Sequence, residues 1–88
     1  MLYMLVNRTR TDLSRDQYER LREMAKIFYA DVPEGLTLRG DWAANDGSRT
    51  FALLESDDPS RVSAMADRFE GLVDIEIVPV TAITGWRD

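Results

Sequence analysis

Glu55 has the strongest claim to chemistry in this chain. It ends the apolar run Phe51-Ala52-Leu53-Leu54, and a carboxylate at the end of a central strand is placed to act as a general base. Arg39 on the preceding run offers a planar guanidinium that could clamp a carboxylate ligand with two parallel hydrogen bonds, or could pair with Glu55 and neutralise it. Asp41 and Glu76 supply further carboxylates for an acid/base couple, although nothing in their spacing singles one pair out. Tyr3, Trp42 and Phe51 could stack on a ring-shaped ligand, and equally could fill a core. Asp57 and Asp58 are adjacent carboxylates, but just before Pro59 they read as a helix cap rather than a metal site. The candidates are therefore Glu55 for catalysis, with Tyr3, Arg39, Asp41, Phe51, Glu55 and Glu76 for ligand binding.

What is absent narrows the chemistry. The 88 residues include no histidine and no cysteine, which removes the usual base near neutral pH, the commonest metal ligands and any disulfide. No metal, haem or flavin is expected. The net charge of −5 argues against nucleic acid as a partner, because phosphate binding needs clustered cations. The acid is concentrated late: residues 1–44 carry seven basic and seven acidic side chains, residues 45–88 four and nine. No apolar run has the length to span a bilayer, and Met1–Val6 lacks the basic lead of a signal peptide, so no membrane partner and a cytoplasmic location are expected.

The elements that must position these groups follow from periodicity. Leu2–Thr9 reads as a short strand, apolar on both faces. Ser14 with Gln17 three residues on is a capping box, and Tyr18, Leu21, Ala25 and Phe28 continue a helical stripe widened by Met24 and Ile27. Asp16 with Arg20, Glu19 with Arg22, and Glu23 with Lys26 form its solvated face. Pro33 and Gly35 stop that helix. Leu36–Ala43 alternates, with Leu36, Leu38, Gly40 and Trp42 on one side and Thr37, Arg39, Asp41 and Ala43 on the other. Asn45-Asp46-Gly47 turns the chain into a return strand, Arg49–Glu55. Asp58 caps a second helix with Pro59 at its first position; Val62, Met65, Ala66 and Phe69 form its stripe, and Gly71 its C-terminal cap. Val73–Val80 is the last strand.

Strand, helix, strand, strand, helix, strand with right-handed crossovers gives an α+β, ferredoxin-like βαββαβ sandwich. The expected sheet is antiparallel in order 4-1-3-2, with both helices on one face. Residues 1–80 form the single domain and residues 81–88 a tail, or an arm that holds Trp86 against something. Parity leaves Tyr3, Leu5 and Asn7, then Thr37, Arg39 and Asp41, on the face away from the helices. Phe51, Leu53 and Glu55 join them there, with Asp74, Glu76, Val78 and Val80 from the last strand. Tyr3 could exchange places with Met4, because both faces of its strand are apolar. Such a face is too apolar for water and too charged for an ordinary core, which suits a dimer interface or a pocket enclosed by one.

The opening Met-Leu-Tyr-Met, Gly40-Asp41-Trp42, the run Phe51–Pro59 with its Asp-Asp-Pro helix start, and Val73–Val80 resemble a family of small uncharacterised bacterial proteins. That family is in turn similar to the dimeric α+β-barrel superfamily of muconolactone isomerases and antibiotic-biosynthesis monooxygenases. The resemblance spans about residues 1–80 and implies a homodimer whose two sheets face each other. It implies no reaction: where relatives carry a histidine after the aromatic residue of the second strand, this chain has Ala43. The leading expectation is a homodimeric module that holds a small, partly apolar molecule in its barrel. A cofactor-independent monooxygenase or isomerase using Glu55, and a purely structural or regulatory dimerisation domain, are the alternatives.

Overall fold

The computed structural model describes residues 1–83. Six elements follow in the expected order: β1 (Leu2–Thr9), α1 (Arg15–Ala30), β2 (Thr37–Ala43), β3 (Thr50–Glu55), α2 (Pro59–Asp67) and β4 (Val73–Val80). All strand pairs are antiparallel and the sheet order is β2-β3-β1-β4, which is 4-1-3-2 read from the other edge. This is the ferredoxin-like α+β sandwich. The residues of the expected tail from 84 onward, Trp86 among them, lie outside the described residues.

Both helix starts form as their residue types dictate. Gln17 donates its backbone N–H to Ser14 Oγ at 3.2 Å, and Ser14 N–H returns to Gln17 Oε1 at 2.8 Å, which completes the capping box. Asp58 Oδ1 accepts from Ser60 N–H at 2.9 Å, with Pro59 at the first helical position. The second helix is shorter than expected. It ends at Asp67, and a further turn closed by Glu70 N–H to Asp67 O and Leu72 N–H to Phe69 O carries the chain to Gly71, whose φ of 83° needs glycine. The charged face of α1 also differs. Its ion pair among the described residues is Arg15 with Glu19 at 3.5 Å.

Tyr3, Leu5, Leu36, Ala52, Leu54, Val62 and Met65 form the buried core, with Phe28, Phe69, Ile75 and Ile77 packed against it. This places both helices on one face of the sheet. It also corrects two assignments of facing. Tyr3 is only 4% exposed and sits opposite Leu54, and Leu5 sits opposite Ala52, so both point under the helices. Leu2, Met4 and Val6 take the open face instead. Because β1 is apolar on both sides, alternation alone could not choose between them.

The second correction comes from β2. Its pairing runs Thr37 to Glu55 and Leu38 to Leu54, then resumes with Gly40 opposite Leu53, so one extra residue bulges at Arg39. Every side chain beyond the bulge changes face. Asp41, expected on the open face, lies opposite Ala52 on the helix side, and Trp42, expected on the helix side, lies opposite Phe51 on the open face.

Candidate functional site

The bulge and the parity of β1 divide the candidate residues between two surfaces. Arg39, Phe51, Glu55 and Glu76 stay on the open face; Tyr3 and Asp41 belong to the helix side. On the open face, Arg39 donates from Nε to Glu55 Oε1 at 2.7 Å and from a terminal guanidinium nitrogen to the same oxygen. The pair stands at the wet rim, both side chains more than a third exposed. A carboxylate held in this way is committed to its partner, so the ion-pair reading of Glu55 is the one that the geometry supports.

The rest of that face is apolar. Gly40, Leu53, Met4 and Val78 form one row across the four strands, and Trp42, Phe51, Val6 and Glu76 form the next. The Trp42 ring lies along Gly40, where an added Cβ would come within 2.7 Å of it, yet the side chain is still 54% exposed. Arg49 stands over the Phe51 ring at 5.3 Å from its centroid. Leu2, Met4, Val6, Phe51, Leu53, Val78 and Val80 are all only half-buried.

The second surface is a cavity of about 250 Å³ between the sheet and the helices. Its floor is Leu5, Ala52, Leu54 and Ile75, its roof Leu21, Ala25 and Phe28 of α1, and Met65 and Phe69 close one side. The cavity exists because α1 stands off the sheet: among the described residues, no side chain of α1 is fully buried. Its polar groups are few. Asn7, Thr9 and Thr50 lie where β1 ends and β3 begins, and Asn7 Nδ2 donates to Thr50 Oγ1 at 3.2 Å.

Tyr29, in the last turn of α1, completes the wall. Tyr29 is half exposed; partial desolvation and the negative charge of Asp41 push its phenol above the usual range. Asp41 reaches this position only because the Arg39 bulge turned it to the helix side. Sequence reasoning missed Asn7 and Tyr29 as cavity residues. Both signals were present: Tyr29 falls one turn after Ala25 on the apolar stripe, and Asn7 shares parity with Leu5 once that residue is placed inside.

Among the described residues no group of three His, Cys, Asp or Glu side chains could hold a metal ion, and no helix is long and apolar enough to cross a membrane. Asp58 is occupied by its cap and by Ser60 Oγ at 2.6 Å.

No curated protein matches the chain. Among solved structures, it is similar to SCO4226 from Streptomyces coelicolor A3(2), with 20% identity, a TM-score of 0.50, and coverage of 93% of this chain and 100% of the other. A putative antibiotic biosynthesis monooxygenase from Deinococcus radiodurans gives 17% identity and a TM-score of 0.51, over 93% of this chain and 92% of the other. At these identities the likeness concerns the fold. The model of the domain of unknown function DUF3303 matches residues 1–88, and the chain belongs to that family.

Proposed function

We propose that this chain is a small-molecule binding module that acts as a homodimer, with its ligand between α1 and the sheet and its partner on the open sheet face. The observation that carries the reading is the cavity. The cavity opens to solvent at one side, and its floor and roof present about 250 Å³ of largely apolar space that a ligand would cover. Water wets these walls at a cost, because the floor and roof offer it few polar partners. An apolar ligand would satisfy the walls and let α1 settle onto it.

The dimer accounts for the other face. Trp42 and the seven half-buried apolar side chains around it make a patch of the kind that monomers this small rarely leave in water. A twofold contact covers the same patch on both copies at once. The barrel formed by two sheets was the expected ligand site; the cavity of this chain lies instead on the helix side, within a single copy. A catalytic reading has one observation behind it, the protonated Tyr29 beside Asp41 at the cavity wall, which could donate to a ligand oxygen.

The test is an NMR titration of methyl-labelled protein with naphthalene and other two-ring compounds. Saturable shifts at Leu5, Leu21, Ala52 and Leu54, and none at Leu53 or Val78, are expected. Shifts confined to the open face would remove the cavity from the proposal. No saturable shift with any compound would reject small-molecule binding.

A further inference from the structure

We infer that the cavity selects an uncharged ligand of one or two rings carrying one amide, carbonyl or hydroxyl group, and discriminates against the anionic counterpart of the same shape. This rests on the binding reading above and adds the chemistry of the ligand to it.

Size comes from the volume. An apolar cavity of roughly 150 Å³ accommodates benzene, so about 250 Å³ leaves room for a second fused ring or a short substituent. Charge selection comes from the lining. Among the described residues, every side chain that lines the cavity is uncharged: no lysine or arginine is there to receive an anion. The carboxylate closest in effect is Asp41, which acts on the Tyr29 phenol and would oppose a second negative charge. An anionic group held beside Asn7 and Thr50 would lose part of its water with no cation in return.

The polar group comes from Asn7 and Thr50. Their mutual hydrogen bond uses one Asn7 N–H and one Thr50 lone pair. It leaves the second Asn7 N–H, the Asn7 carbonyl and the Thr50 hydroxyl proton uncommitted at two residues that line the cavity, as two donors and an acceptor. An amide or hydroxyl answers both kinds at once. A carboxylate accepts only, and leaves the Asn7 carbonyl without a donor.

Three probes of common shape separate these terms: naphthalene, 2-naphthamide and 2-naphthoate, titrated by calorimetry against the full-length protein at neutral pH. The amide should bind more tightly than the carboxylate by about tenfold or more, and more tightly than the bare ring. Asn7→Leu should erase the advantage of the amide over naphthalene while naphthalene still binds. Ala25→Trp, which fills the cavity from the α1 side, should abolish binding of all three, with circular dichroism confirming the fold. Equal binding of amide and carboxylate, preference for the carboxylate, or an amide preference untouched in Asn7→Leu overturns the inference and leaves the binding reading in place. Binding of naphthalene alone does the same, whereas binding of none removes both.

Discussion

Leu53→Asp probes the open face at its centre. Leu53 sits between Gly40 and Met4, in the row that ends at Val78, and is half-buried in the single chain. In the proposed dimer that position is covered by the second copy. The substitution then gives up about 1.5–3 kcal/mol of apolar burial per copy. It also leaves a carboxylate without a cation at the interface, at an effective cost of several kcal/mol per ion. Because the twofold axis repeats the change, association should weaken by at least ~6 kcal/mol, or more than about ten-thousandfold in the dissociation constant. Inside one chain the cost is far smaller. The new side chain is half in water, and lost strand propensity together with partial burial amounts to about 2 kcal/mol, a fall of roughly 8–16 °C in Tm for a domain of this size.

Sedimentation velocity over a wide concentration range separates the two effects. Wild-type protein should sediment at twice the chain mass and show a Tm that rises with concentration. Leu53→Asp should sediment at the chain mass, remain folded by circular dichroism, and lose the concentration dependence. Glu19→Gln, on the exposed side of α1, should change neither property. A wild-type protein at the chain mass at every concentration would falsify the covered-face argument. So would a Leu53→Asp variant that stays dimeric.

Two further changes test the local signals that set the elements. Ser14→Ala removes one half of the capping box and should cost about 0.5–2 kcal/mol, seen as a lower urea midpoint with unchanged slope; an unmoved midpoint would remove the box from the account of α1. The Asp58 carboxyl is held below the usual carboxylate range, chiefly by hydrogen bonds from Ser60. Its contribution to stability is therefore complete above the ordinary carboxylate value of about 3.9 and is lost as pH falls through the lower folded-state value. Asp58→Asn keeps a capping oxygen and removes the titration, so the acid limb of the stability profile should flatten; an identical limb would assign the acid sensitivity to other carboxylates.

The order of elements, the sheet topology and both helix starts were legible because each rests on a local rule. Ser14 and Gln17 need only each other, and Asp58 needs only Ser60 and Pro59. The length of α2 was not legible, because Val62, Met65, Ala66 and Phe69 keep helical spacing through the turn after Asp67. Which way the side chains of β1 face was not legible either. Tyr3, Leu5, Met4 and Val6 are apolar on both sides, and what decides between them is pairing with β3, a contact across half the chain. Of the candidate residues, the Arg39–Glu55 pair was readable as a neutralising alternative from the start, whereas the cavity was not, since it depends on how far α1 stands from the sheet.

The bulge at Arg39 shows how much function one backbone residue can redirect. With regular alternation through β2, Asp41 would share the open face with Glu55 and Glu76, adding a third carboxylate to the patch that the proposed dimer covers. Trp42 would lie on the helix side with Leu38. The extra residue exchanges the two: it moves an acid to the helix side, where its charge raises the Tyr29 phenol above the usual range, and moves a large ring out beside Phe51 on the open face. A bulge on an edge strand also disturbs the exposed row of backbone groups that would otherwise invite edge-to-edge pairing. The same feature thus leaves the sheet face, rather than the edge, as the apolar surface of the proposed dimer.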